Sequence, residues 1–351
     1  MRAIHILAVL LLLAAGAAAG AEKKACHGGD EAALLAVKAA FSNASSFVSW
    51  TPDIPCCHWP GIDCSDDDGS GGTTGRVVSL AILRDDGITG VVPGDAIAGL
   101  TRLQILFLFK LPRVSGAIPA ALVRLSGLKE LTISRTGVSG PVPSFLGALK
   151  ALESLDLSFN ALTGAIPASL GAPPRLISVD LSRNRLTGRI PPLLLSKAGP
   201  QAFLSLSHNN LSGGIPVEFA AVNFEQIDLS RNQLTGDASL LFGRGDDDKP
   251  VLDSADLSRN ALSFNMSLSF NMSGLRLTRR LDSLDLSHNM IYGGIPAVVA
   301  NLTNLQVFNV SYNRLCGAVP VGAAARYDLY SFAHNKCLCG QGRAGLIRGP
   351  V

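Results

Sequence analysis

Two columns of side chains carry the chemistry available to this 351-residue sequence. The first holds Phe107, Thr132, Asp156, Asp180, Ser205, Asp228, Asp256, Asp285 and Asn309, each set between two apolar residues. The second lies just before an asparagine-type position. It holds Lys110 (slightly displaced by an irregular turn), Arg135, Phe159, Arg183, His208, Arg231, Arg259, His288 and Tyr312. The first column is acidic in its middle; the second is basic with aromatic rings. Carboxylates and hydroxyls of this kind do acid–base or nucleophilic work only when paired within hydrogen-bond reach in a cleft. Here they recur once per sequence repeat on an open face, so no catalytic residue is assigned. His208 and His288 lie several repeats apart, too far to share a metal ion. The sequence contains no zinc motif, phosphate-cradling glycine loop or nucleophile elbow. No enzyme, metal or cofactor is therefore expected.

Rows of cations and rings suit protein recognition instead, because Arg and aromatic residues supply most binding hot spots. The candidate contact residues are Phe107, Phe109, Lys110, Arg135, Asp156, Asp180, Arg183, Ser205, His208, Asp228, Arg231, Asp256, Arg259 and His288. Phe107 and Phe109 in LFLFK put two rings on one exposed strand face, which marks either a contact patch or a packing contact with the N-terminal cap. The aspartate column either joins the contact or keeps the strand face soluble. The histidines gain charge as pH falls toward about 5, so binding to an acidic partner is expected to tighten in an acidic compartment.

The elements that position these columns are repeats. Residues 152–167 read LESLDLSFNALTGAIP, 176–191 read LISVDLSRNRLTGRIP, and 281–296 read LDSLDLSHNMIYGGIP. Ten anchors recur at Leu80, Leu106, Leu131, Leu155, Val179, Leu204, Ile227, Ala255, Leu284 and Phe308. Self-similarity of this form and period is a leucine-rich repeat. Strand alternation turns both leucines of each L-x-L inward and the residue between them outward. One repeat cannot bury that face alone, but stacked neighbours can, and each buried Leu then contributes roughly 1.5–3 kcal/mol. Asn160, Asn184, Asn209, Asn232, Asn260, Asn289 and Asn313 are expected to point inward and satisfy backbone groups at the turn after each strand. Gly164, Gly188 and Gly293 permit a turn that side chains would obstruct. Pro167, Pro191 and Pro296 are expected to keep the returning segment extended.

The ends read differently. Residues 1–21 form a signal peptide: Arg2, a short apolar run, then the small residues Ala19-Gly20-Ala21. Residues 22–75 form an N-terminal cap, 76–320 the ten repeats, and 321–351 a C-terminal cap and tail. In the first cap Asp30 can cap a helix along which Leu34, Leu35, Val37, Lys38 and Phe41 fall at helical spacing, and Trp50 and Trp59 can cover the first repeat. All seven cysteines sit in these ends. Cys26 can pair with Cys56, Cys57 with Cys64 and Cys316 with Cys337, which leaves Cys339 odd. Six sequons, at Asn43, Asn210, Asn265, Asn271, Asn301 and Asn309, accept glycans in a secreted chain. A net charge of +3 and the lack of any recognised motif give no sign of a nucleic-acid partner. No later apolar run is long enough to span a membrane.

Several stretches are more specific. They are SWTPDIPCCHWPGIDC at 49–64, TGVSGPVPSFLGALKALESLDLSFNALTG at 136–164, LTGDASLLFG at 234–243, NVSYNRLCGAVP at 309–320 and HNKCLCG at 334–340. With the L-x-G-x-I-P endings, the mature chain resembles the plant polygalacturonase-inhibiting proteins along essentially its whole length. The resemblance implies an α/β solenoid, a right-handed leucine-rich-repeat superhelix of about ten plant-type repeats with a concave parallel β-sheet and Cys-bearing caps. It also implies a secreted, extracellular protein of the plant cell wall. Such a protein binds endo-polygalacturonases of fungi, and in some cases insects, through the concave face and limits pectin degradation in defence. A monomer is expected. The basic column also allows direct, salt-sensitive contact with pectin or polygalacturonate. The alternative reading is a soluble receptor-like module that binds a peptide or receptor ectodomain in development or defence signalling. One departure from the family is plain: CLCG is followed by QGRAGLIRGPV without a cysteine, so Cys339 lacks the partner the family carries there.

Overall fold

The computed structural model describes residues 25–42, 44–65, 74–242, 252–260 and 269–339. The signal segment, the sequons at Asn43 and Asn265, the Asp-rich runs at 66–68 and 246–248 and the tail beyond Cys339 lie outside the described residues. The chain divides into two compact units, one ending at Gly137 and the other beginning at Val138.

The first unit opens with the helix Gly28–Ala40. Its Leu34 and Val37, with Phe41 just beyond it, are fully buried. Trp50 and Trp59 are buried beside them and stack with centroids 5.3 Å apart. Asp30 does not cap this helix. The N-cap is His27, whose side chain accepts from the Gly29 N–H. Asp30 faces inward at 1% exposure, where an unpaired carboxylate would be prohibitive. It is held by Arg76 through Nε and Nη2, both at 2.9 Å, and by the Val77 N–H at 2.9 Å. Disulfides Cys26–Cys56 and Cys57–Cys64 close this cap as the sequence suggested. Strand Val77–Leu83 then pairs in parallel with Ile105–Gly116, with Leu80 opposite Leu106. Its other edge is covered by the antiparallel strand Ile62–Cys64, so the cap shields a row of unpaired backbone groups.

In the second unit the strands Ser154–Asp156, Ser178–Asp180, Ala202–Ser205, Phe224–Asp228, Ser254–Asp256, Ser283–Asp285 and Val307–Asn309 pair in parallel, in chain order. The anchors Leu155, Val179, Leu204, Ile227, Ala255, Leu284 and Phe308 lie opposite one another in register, and all are buried. A one-residue slip would turn every one of them to water, which is why the register is unique. Disulfide Cys316–Cys337 fastens the last turn, and Cys339 is free and exposed.

The asparagines act as expected. Asn232 is typical: its Nδ2 donates to Leu206 O of the preceding repeat at 3.0 Å and to Leu229 O of its own at 3.1 Å. Its Oδ1 accepts from Leu211 N at 3.0 Å. Asn184, Asn209, Asn260 and Asn313 repeat this pattern. So does Asn335, a rung the repeat count did not include: its Nδ2 donates to Val310 O and Phe332 O at 2.9 Å, and its Oδ1 accepts from Leu315 N.

Two features of the return path differ from expectation. The L-x-G segments Ala161–Ala165, Arg185–Gly188, Asn210–Gly214 and Gln233–Thr235 form a second parallel ladder of their own. Each segment has only one buried Leu, too little alternation to signal a strand. Gly164 and Gly188, at φ +74° and +77°, turn the chain out of it. The prolines do not keep the return extended beyond themselves. Pro167 and Pro296 are extended but each introduces a short 3-10 turn, at Ala168–Gly171 and Ala297–Asn301, and Pro191 is followed by a turn in which its carbonyl accepts from Leu194 N. A fixed proline φ is compatible with a helix start, where no N–H is needed.

Candidate binding face

The residue before each asparagine, and its counterpart in the first unit before Asp85, Leu111 and Thr136, has a conformation that sequence reasoning did not foresee. Arg84, Lys110 and Arg135 in the first unit have φ between +52° and +57°. Phe159, Arg183, His208, Arg231, Arg259, His288, Tyr312 and His334 in the second lie between +53° and +57°. This is the left-handed region, which costs an L-residue roughly 1–2 kcal/mol. The turn is imposed by the backbone ladder: Arg183 N donates to Ser207 O at 2.8 Å and Arg231 N to Ser258 O at 2.9 Å. Glycine would adopt it without strain. Every one of these positions instead carries a cation or a ring.

Identical backbone angles in successive turns aim successive side chains the same way, and at both ends of the second unit's column neighbours stack. The Arg183 guanidinium carbon lies 4.9 Å from the Phe159 ring centroid. His288 stacks on Tyr312 at 4.2 Å, and Tyr312 on His334 at 4.1 Å. Between these two stacked ends, Arg231 and Arg259 are exposed and His208 is half-buried, as is His288 within the second stack. In the first unit Phe107 and Phe109 are half-exposed with ring centroids 5.8 Å apart, next to the exposed Lys110, and Arg135 is exposed as well.

The aspartate column has a local task. One carboxylate oxygen of each accepts the N–H two residues on: Asp156 from Ser158, Asp180 from Ser182, Asp228 from Ser230, Asp256 from Ser258 and Asp285 from Ser287, at 2.8–3.1 Å. These bonds close the bend that leads into the left-handed residue. All five carboxylates stay half-buried, so they border the cation column rather than stand out from it. Ser205 does not belong to the exposed face. At 0% exposure, opposite Asp180 and Asp228 in register, its short side chain is covered and offers a partner no atom.

Electrostatics follow from this packing. Burial, with Asp228 and Asp285 opposite it on either side, pushes the Asp256 carboxyl up to about 6. His288 is shifted down, first by burial and then by the Arg259 cation. It therefore gains charge at lower pH than an ordinary histidine. Among the described residues, the one cluster of three metal-binding residue types is Cys26, Cys56 and Cys57, and disulfides consume all three thiols. No described helix is long and apolar enough to cross a membrane.

Repeated strand, asparagine turn and return path, with a cystine-bearing cap, define a leucine-rich-repeat protein whose exposed face suits recognition. The family described as Leucine rich repeat N-terminal domain matches residues 27–65. The Leucine Rich Repeat family matches 151–172, 175–196, 202–221 and 280–302. The chain is 46% identical over 315 residues to polygalacturonase inhibitor 2 of Arabidopsis thaliana, covering 90% of each. It is 45% identical over 312 residues to the polygalacturonase inhibitor of Pyrus communis, covering 89% of each. Among solved structures it resembles a plant ice-binding protein, with a TM-score of 0.81 and 41% identity over 90% of this chain and 96% of that one. The chain belongs to the polygalacturonase inhibitor family, whose members are leucine-rich-repeat inhibitors and not enzymes.

Proposed function

We propose that this protein is secreted to the plant cell wall and inhibits endo-polygalacturonases of fungi or insects, limiting pectin degradation. Membership of the inhibitor family, at 46% identity over 90% of both chains, carries this reading. The leader at 1–21 and the cystines of both caps are consistent with export into an oxidising compartment. On this reading residues 22–75 and 321–351 cap ten repeats at 76–320, and the protein acts as a monomer.

The docking surface we assign is the exposed strand face of the second unit. Arg183, Arg231 and Arg259 provide its cations, His208 and His288 its titratable rings, and Asp156, Asp180, Asp228, Asp256 and Asp285 its half-buried border. Phe107, Phe109, Lys110 and Arg135 form a separate contact patch on the first unit. The cation column also suits polygalacturonate, which would hold the protein in the wall at low salt. The test is hydrolysis of polygalacturonate by a panel of fungal endo-polygalacturonases at about pH 5, near the acidity of the wall. Inhibition of any member establishes the function. A folded protein that leaves the whole panel untouched refutes it.

A further inference from the structure

Asn309 ends the strand Val307–Asn309 and occupies the column that aspartates fill at Asp228, Asp256 and Asp285. Its Oδ1 accepts from Ser311 N at 3.1 Å and Ser311 Oγ at 2.8 Å. Its Nδ2 donates one hydrogen to Asp285 Oδ2 at 3.2 Å. Asn309-Val310-Ser311 is also a sequon.

On the side of Asn309 away from Asp285 the chain makes one more turn of the same pattern. Val310 N, Tyr312 N and Asn313 N donate to Ser331 O, Ala333 O and His334 O. Leu286 N, His288 N and Asn289 N donate in the same way to Asn309 O, Ser311 O and Tyr312 O. This register puts Ser331 next to Asn309 and Ala333 next to Ser311. Asp256 has a carboxylate on both sides; Asn309 has one only toward Asp285. The small cap residues leave an open depression of about 250 Å³ beside its amide. Aromatic side chains wall it: Tyr312 stacked on His334, and Tyr330, which is 82% exposed. A saccharide ring has an apolar face that packs on such rings and hydroxyls that bond to groups such as those of Ser331.

We propose that Asn309 carries an N-linked glycan whose first ring sits in this depression against Tyr312 and His334. The inference rests on the secretion reading. In the transfer, a bond forms between Asn309 Nδ2 and the sugar's C1, while the C1–oxygen bond to a polyprenyl-diphosphate oligosaccharide donor breaks. The diphosphate departs with the electron pair, and one Nδ2 hydrogen leaves as a proton. The other hydrogen remains to donate to Asp285, so the glycosylated side chain fits the fold. The glycan then covers the end of the strand face, and a protein partner has access to the second unit's rungs only through Asp285 and His288.

The test uses the full chain secreted from plant cells. Glycopeptide mass spectrometry reads occupancy at Asn309 against the exposed sequons Asn210 and Asn301. Peptide-N-glycosidase then releases glycans from the native protein. The expected result is an occupied Asn309 whose glycan is released about two- to tenfold more slowly than that at Asn301, the protection one aromatic contact provides. Tyr312→Ala should abolish that delay with occupancy kept, and Tyr312→Phe should preserve it. Asn309 bare while Asn210 or Asn301 is occupied overturns the inference, as does an equal release rate in the wild-type protein. A bare Asn309 on a chain recovered from the medium overturns the inference alone, whichever other sequons are occupied; failure of the chain to reach the medium overturns the secretion reading on which it rests.

Discussion

At the scale of single residues, the backbone decides which side chains can recognise a partner. Arg183 and Arg231 stand on left-handed residues held by main-chain hydrogen bonds, so their direction is set before any partner arrives. Pre-organisation of this kind lowers the entropy lost on binding. Arg183→Ala combined with Arg231→Ala should weaken polygalacturonase inhibition by about tenfold or more if both are hot spots. The melting temperature should move little, because alanine meets the same backbone strain as arginine and neither side chain is buried. Full inhibition by the double variant would remove both residues from the interface. Phe159 deserves inclusion in the same series, since its ring supports the Arg183 guanidinium at 4.9 Å.

At the scale of elements, the paired strands couple ionisation across rungs. The sequence placed the pH response on histidines, yet burial and Arg259 hold His288 below its ordinary range, and Asp256 is the group raised to about 6. As pH falls through about 6, Asp256 loses its negative charge and the cation column is left less neutralised. Binding to an acidic partner should therefore tighten from neutral to acid pH. In Asp256→Asn that part of the response should be lost, which titration calorimetry across the range can read. The same group makes the fold pH-dependent. Its pKa is 3.8 when unperturbed and about 6 when folded, so the folded chain holds the extra proton in between. Its contribution to stability is complete below the lower value and lost as pH rises through the upper one. Asp256→Asn should accordingly gain about 1–3 kcal/mol at neutral pH and nothing in strong acid. A variant no more stable than wild type at neutral pH would show that Asp256 ionises there without penalty.

At the scale of the molecule, repeats solve the burial problem everywhere except at the ends. The first unit closes its end with Asp30 locked to Arg76 and with two cystines. Asp30→Ala removes the buried carboxylate that accepts from the Arg76 guanidinium and from the Val77 N–H, and should destabilise the cap by about 3–5 kcal/mol. Both tryptophans of the chain lie in this cap and stack on each other, so their fluorescence reports it directly. In urea the fluorescence midpoint should fall clearly in the variant. An unchanged midpoint would mean that the ion pair contributes nothing net to the cap.

The L-x-L alternation and the period determined the repeats, their register, the anchors from Leu80 to Phe308 and the inward asparagines, because each rests on a local rule that acts identically in every copy; the cystine pairs came from the clustering of cysteines at the two ends. The family was legible for the opposite reason, in stretches that do not recur from copy to copy, such as the paired cysteines at 56–57 and the GDASLLFG run. Some features were not legible. Asp30 reads as a cap residue until Arg76 is brought against it. Ser205 reads as an exposed column member until its neighbours cover it. The second ladder of L-x-G segments, the left-handed column and the stack of His288, Tyr312 and His334 exist only because one repeat lies against the next. Sequence spacing fixes which residues recur; the hydrogen bonds between neighbouring repeats fix the backbone angles, and those angles decide where the side chains point.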